Sequence, residues 1–483
     1  MMLLLPLLIP LVGAAVLLGF GTNGRARLLA LVVGGVEIVA VLRVVLAVYS
    51  SGPVRFGRYL RADELSAFFL LNVALISGLV LVYSLDYLRH VEGERFSSAR
   101  WFHAFLFFFV FTMVGVCLSS NLGLLWIMME ATTLASALLV GFYNTRGAVE
   151  AGWKYLIVCT VGIAFALFGT IVLYLAAIKS GLSPETALDW TALMAAFPRL
   201  GSDIPLLKLA FVFVVVGYGT KVGFVPMHSW LPDAHAEAPS PISALLSGVL
   251  LNCAMYTLLR YDAIISRATG TNFSHTLLLV FGVLSVVVAG LLIVVQRDLK
   301  RLLAYSSIEH MGIVAIGVGL GGTLGLYGAL LHTFNHSIGK TLLFFAAGNV
   351  RQNFGTLRMD RIGGLARSLP KTALALALGS VAIVGLPPFS LFVSEFAILS
   401  EAFAQSRLLV ATLFLVTLSV VFGGMLHHLF GMFFRESKRS PAATHMALSE
   451  AVPIAIAAAG LVWFGVHIPA GFKALIDRAI AVL

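Results

Sequence analysis

Apolar runs of about 20 residues, separated by short loops rich in Lys, Arg, Gly and Pro, recur along almost the whole chain. Hydrocarbon offers no water to backbone N–H and C=O groups, so only helices or closed barrels cross it. Runs of this length fit helices. The 483 residues are 60% hydrophobic and only 11% charged, where an ordinary soluble domain is about 25% charged. The chain therefore reads as an all-α, polytopic membrane protein with about fourteen transmembrane helices. They fall near residues 2–20, 29–50, 64–84, 102–119, 122–142, 155–178, 206–230, 241–262, 276–295, 302–320, 324–349, 371–396, 408–434 and 449–469. Only Ser119-Ser120-Asn121 separates the fourth run from the fifth, and only Gly321-Gly322 the tenth from the eleventh. The polar stretch 182–203 has room for a short surface helix. The first run has no charged n-region and reads as a span, not a removable leader.

The net charge of +10 does not imply nucleic acid, because most of the cations stand in short loops, where they set topology. Loops after odd-numbered spans carry the excess, including Arg89, Arg95, Arg100, Arg297, Lys300, Arg301, Arg435, Lys438 and Arg439. That bias places the odd loops in the cytoplasm and both termini outside. Cys117, Cys159 and Cys253 have no CxxC spacing, and no Gly-rich nucleotide loop follows a strand pattern. The sequence thus predicts no metal and no bound cofactor, with redox chemistry left to other chains.

Two spans are interrupted. Span seven contains Gly223 and Pro226, and span twelve contains Gly385, Pro387 and Pro388. Proline removes a helix hydrogen bond and clashes with the preceding turn, and a break at membrane depth survives only against protein or water. Paired breaks in corresponding halves mark inverted-repeat transporters, with the site at the breaks. A single kinked packing helix with a chance echo is the alternative. The repeat reading divides the chain into helices one to three (1–100) and a first repeat of helices four to eight (101–265) with Glu130 and Lys221. A second repeat of helices nine to thirteen (266–435) carries Lys340 and Glu395, and a C-terminal helix (436–483) follows.

Lys221 stands inside an apolar run, where a lone ammonium costs about 2.5–3.5 kcal/mol even on insertion scales. Glu130 has a comparable setting, and the two are expected to pair, each lowering the other's cost. The pair reads either as a proton switch or as a structural ion pair. His332, His336 and Lys340 recur at helical spacing on one face. Histidines that titrate near neutrality with a lysine beyond suit a proton relay, and protonated lysine suits a metal poorly. Glu395, beyond the second break, is the expected exit group. Glu309 and His310 belong either to the path or to a solvated helix end. His228, Asp233, His235 and Glu237 form either an aqueous mouth or a polar loop. Arg260 and Asp262 are expected at the interface.

The stretch from Lys221 to Gly248 (Lys-Val-Gly-Phe-Val-Pro-Met-His-Ser-Trp-Leu-Pro-Asp-Ala-His) is the most specific in the chain. With Asp298–Gly312 and the His332–Gly348 run, it resembles the antiporter-like subunits of respiratory complex I, of membrane-bound [NiFe]-hydrogenases and of multisubunit Na⁺/H⁺ antiporters. Asn252 stands where complex I relatives usually carry a lysine, and together with Ile308-Glu309-His310 it resembles the component F type of hydrogenase-4 more than complex I proper. The resemblance implies a proton path through Glu130, Lys221 and Glu395, with Asn252 as a polar but uncharged centre. It implies other membrane subunits and a peripheral redox arm as partners, and a bacterial inner membrane as the location. The chain ends soon after its last span, and the long lateral helix of the largest complex I relative is expected to be missing. A proton-translocating subunit of a redox-driven complex is the leading expectation. A Na⁺/H⁺ antiporter subunit and a non-conducting scaffold are the alternatives.

Overall fold

The computed structural model describes residues 1–20, 23–88, 99–200, 204–436 and 446–483. Arg89, Arg95, Lys438 and Arg439, part of the loop-charge tally, lie outside them. The described chain is helical almost throughout: α1 (Leu5–Phe20), α2 (Asn23–Ser51), α3 (Glu64–Tyr87), α4 (Ala99–Leu118), α5 (Leu122–Val140), α6 (Arg146–Lys179), α7 (Trp190–Leu200) and α8 (Ile204–Val222) come first. Then follow α9 (Leu231–Glu237), α10 (Ser240–Leu245), α11 (Leu251–Thr269), α12 (Thr271–Val294), α13 (Leu299–Leu320) and α14 (Gly322–Phe354). The chain closes with α15 (Leu365–Ser368), α16 (Pro370–Ile383), α17 (Ser390–Ala404), α18 (Leu408–Phe434), α19 (Leu448–Val466) and α20 (Ala470–Val482).

Each of the fourteen apolar runs carries helix. By length and hydropathy, 11 of the described helical segments suffice to cross a membrane. The other three runs differ for separate reasons. Helix α1 is short, α16 is cut off by the second break, and α14 carries too many polar residues, Lys340 and two histidines among them. The two narrow boundaries are real. Asn121 caps α5 by accepting from Gly123 N and Leu124 N, and Gly321, at φ +64°, ends α13.

Three features depart from the sequence reading. A small antiparallel hairpin, β1 (Val54–Phe56) with β2 (Leu60–Ala62), interrupts the all-helical plan. Span eight is not one helix but α10, a π-helical turn at Leu246–Leu250, and α11. Beyond the last span, α20 buries Leu475, Ile476 and Ala479 while Arg478 donates to the Tyr49 carbonyl at 2.6 Å. The short surface helix in 182–203 is α7.

With no hydrophobic drive between helices in lipid, close approach depends on small residues. Helices α6 and α8 show this: a Cβ on Gly217 would lie 2.4 Å from Ala166 N, and one on Gly169 2.7 Å from Ala210 O. That contact brings Tyr155 of α6 beside Lys221 of α8.

Candidate functional site

Lys221 is in the last turn of α8 and fully buried. A cation there meets the negative end of the helix dipole. The helix stops because Gly223 takes φ +89° and Pro226 follows, joined by a cis peptide. The backbone freed by the break is satisfied by side chains from elsewhere: Trp230 Nε1 donates to Thr220 O at 2.8 Å, and Val225 N to Ser285 Oγ at 3.0 Å.

The expected contact between Lys221 and Glu130 is not made. Lys221 Nζ donates to the Tyr155 hydroxyl at 2.9 Å and lies 5.1 Å from the centre of its ring. The hydroxyls of Tyr155 and Ser136 are 2.7 Å apart. Glu130 is only half-buried and accepts from Thr160 Oγ1 at 2.8 Å and Thr133 Oγ1 at 3.2 Å. Two threonines satisfy the carboxylate, so it has less need of the ammonium. Neither Tyr155 nor these threonines stood out in the sequence, since each looks like ordinary helix filling until α5, α6 and α8 are packed.

Asn252 is fully buried. Its Nδ2 reaches Gly248 O at 2.7 Å, Ser337 Oγ at 2.7 Å and Thr333 O at 3.3 Å. The Ser337 hydroxyl also lies 2.6 Å from Gly248 O. From α3, Asn72 Nδ2 donates to Ser337 Oγ at 2.9 Å. Gly248 is in the π-helical turn, a distortion that recurs at functional sites. Asn72, which sequence reasoning passed over, is half of this knot.

The second set is compact. His310 Nδ1 and His332 Nε2 are 2.9 Å apart, and His332 Nδ1 is 2.9 Å from Ser394 Oγ of α17. The His336 ring is 5.3 Å from that of His310. Lys340 Nζ donates to Leu303 O of α13 at 2.9 Å. Glu309, His310, His332, His336, Lys340 and Glu395 are all buried, so Glu309 and His310 are core residues and not a solvated helix end. The second break folds over Glu395: Gly385 takes φ +69°, and a Cβ there would lie 1.8 Å from Glu395 Oε2. Pro387 and Pro388 are joined by a cis peptide at this turn.

Several of these groups have no partner. Both oxygens of Glu309, both nitrogens of His336, His310 Nε2 and Glu395 Oε1 are buried without a hydrogen bond among the described residues. Buried polar atoms are rarely left this way. His310, His332 and Glu395 also offer three ligand atoms within 4.8 Å of one another. As they stand, His332 spends both ring nitrogens on hydrogen bonds, to His310 and to Ser394.

Residues after the first break separate into two groups. Asp233 forms ion pairs with Lys154 and with Arg301, the latter at 2.6 Å. With Glu150 and Glu237 these line a cavity of about 230 Å³. His235 is fully buried instead, stacked on Phe344 with both nitrogens unpartnered. His228 is half-buried beside Tyr305. Arg260 and Asp262 are buried within the protein. Arg260 is buried against Asp63, with Trp190 4.4 Å away, and Asp262 is buried 3.5 Å from His275.

The family model described as NADH:quinone oxidoreductase/Mrp antiporter, TM, matches residues 119–422, which is more than half of the chain. The chain belongs to this family. A second model, NADH-Ubiquinone oxidoreductase (complex I), chain 5 N-terminus, matches residues 49–97. Among antiporter-like relatives, the hydrogenase-4 component F homolog of Methylacidiphilum infernorum is 43% identical over 74% of this chain and 75% of its own length. NADH-quinone oxidoreductase subunit N of Desulforudis audaxviator is 33% identical, over 72% and 67%. Hydrogenase-4 component B of Escherichia coli is 33% identical, but the matched part is about half of that protein (51%). The fold is shared with a chain of an archaeal membrane-bound sulfane sulfur reductase (TM-score 0.88, 23% identity, 99% and 97% covered). It is also shared with a chain of the Mrp complex of Dietzia (TM-score 0.86, 20% identity, 100% and 97% covered). As an antiporter-like subunit, this is a multi-pass membrane protein, and its relatives are components of larger membrane complexes.

Proposed function

We propose that this antiporter-like chain is a proton-translocating membrane subunit of a redox-driven complex of the hydrogenase-4 or NADH:quinone oxidoreductase type. In this reading it is seated in a bacterial inner membrane with other membrane subunits and, through them, a peripheral redox arm. It binds no redox centre of its own. The observation that carries the reading is the set of protonatable groups buried together near the second helix break, several of them without a partner among the described residues. Intramembrane ionisable residues of this kind mark proton relays.

The first station is Glu130, Tyr155 and Lys221. Bringing a carboxylate to an ammonium, or taking it away, changes the ammonium's hold on its proton. Glu130 makes that change by moving between its threonines and the Lys221–Tyr155 contact. The Asn252–Ser337–Asn72 knot bridges the centre without a charge. His336, His310, His332 and Glu395, with Lys340 and Glu309 beside them, form the second station. The repeat boundaries near residues 100, 265 and 435 put one broken helix in each half and one station at each break.

The test is proton uptake by the reconstituted complex driven by its electron donor. Lys221→Met and Glu130→Gln should each remove most of the uptake per electron, with the complex still assembled. Wild-type uptake in both variants would overturn the reading. Transport that needs sodium and no electron donor would move the chain to the antiporter class.

A further inference from the structure

Glu37 lies at the middle of α2, among Gly34, Ile38 and other apolar residues. It is only 3% exposed, and neither carboxyl oxygen has a hydrogen-bond partner among the described residues. It lines a cleft between α2, α3 and α4 with Ser77, Gly78, Leu106 and Phe107. The open space is about 10 Å³, the volume that holds one water. Ser77 Oγ, whose one bond is a long 3.3 Å contact to Ala74 O, is the other polar side chain lining the cleft.

Among the described residues no Lys or Arg lines the cleft with Glu37. Helix α1 has no titratable side chain. On α3, Glu64, Tyr83, Asp86 and Tyr87 do not line the cleft. On α4, His103 is bonded to Ala99 O and Ser84 Oγ. On α2 itself Arg43 is exposed, Arg25 and Arg27 stand at the start of the helix about 15 Å or more along its axis from Glu37, and Arg55 of the adjoining hairpin binds Asp189. An ionised carboxylate in hydrocarbon without a partner is costly, and the group escapes the cost by keeping its proton.

The geometry points to a proton-binding site at Glu37, separate from the two stations at the helix breaks, with a single water between the carboxylic acid and Ser77. Asn72 and Ser77 are five residues apart on α3, about 7.5 Å along the axis and on different faces, so one helix separates this acid from the central knot. The inference does not rest on the row being the path.

The protonated acid can be trapped. The apolar reagent dicyclohexylcarbodiimide adds a carboxylic acid across its N=C bond: oxygen bonds to the central carbon and the acid proton passes to nitrogen. Rearrangement to the N-acylurea leaves a stable mass tag with nothing expelled. The experiment treats membranes holding the intact complex with the reagent over a range of pH and maps adducts by mass spectrometry. The expected result is an adduct on Glu37 that fades as the pH rises and vanishes in Glu37→Gln. Ser77→Ala should keep the adduct and change the pH at which it fades. Absence of a Glu37 adduct while another buried carboxyl of the chain is labelled would overturn the inference. So would labelling of Glu37 that appears only after the complex is dissociated, since the acid would then serve a helix–helix contact.

Discussion

Tyr155 carries more of the Lys221 environment than its place in α6 suggests. An ammonium buried in a membrane protein needs acceptors, and here the nearest is one phenol oxygen backed by Ser136. Tyr155→Phe keeps the ring and removes the acceptor, leaving a buried charge short of a partner at a cost of about 1–3 kcal/mol. Proton uptake by Tyr155→Phe complexes should fall several-fold at unchanged subunit content, measured by dye quenching against a quantified gel. Uptake equal to wild type would show that Lys221 does not depend on this contact. Gly385 offers the matching case at the second break, because a Cβ there meets Glu395 Oε2 at 1.8 Å. Gly385→Ala should displace Glu395 and impair uptake, while the nearby Ser394→Ala removes a hydroxyl that contacts His332 and the Leu391 carbonyl and should do less.

At the level of elements, the α6–α8 pair is set by backbone proximity that admits no side chain at Gly217. Gly217→Val should abolish assembly, read as loss of the monodisperse peak after detergent extraction. Gly423 of α18 is the control: a Cβ there would meet nothing within 4 Å. Gly423→Ala should be neutral or stabilising by about 0.5–1 kcal/mol, because alanine has less backbone freedom to lose in a helix. Both positions are glycines inside apolar runs, and only packing separates them.

Across the whole molecule, the Asp63–Arg260 pair fastens the start of α3 to α11, with Trp190 and Tyr256 on the guanidinium faces. Burial pushes the Asp63 carboxyl upward, but the charge and hydrogen bond of Arg260 override it and hold the group below the usual carboxylate range. A folded-state pKa below the unfolded value, about 3.9, stabilises the fold fully above that pH. The contribution is lost as pH falls through the folded-state value. Asp63→Asn should cost about 3–5 kcal/mol at neutral pH by stranding Arg260. It should also flatten the acid limb of a thermal-stability profile, and an unchanged limb would place that limb elsewhere. At the centre, Asn252→Lys would introduce an ammonium beside Gly248 O, Thr333 O and Ser337 Oγ, the three acceptors that Asn252 now uses. That change should alter uptake more than it alters yield.

The class of fold was legible because hydrocarbon imposes it locally: a run of apolar residues long enough to span must satisfy its own backbone, whatever its neighbours. For the same reason the two breaks at Pro226 and Pro387-Pro388 and the charges at Lys221, Lys340 and Glu395 stood out, each being costly in its own segment. What was not legible depended on partners distant in sequence. Lys221 rests on Tyr155 and not on Glu130 because two threonines already serve the glutamate. Arg260 is in the core because Asp63 lies almost two hundred residues before it, an ion pair with a sequence separation of 197. Asn72 completes the Asn252 knot from another helix, and Glu37 faces a cleft that exists only once three helices meet. A residue's cost in the membrane is written in its own span, whereas what relieves that cost is decided by which helices the tertiary structure lays beside it.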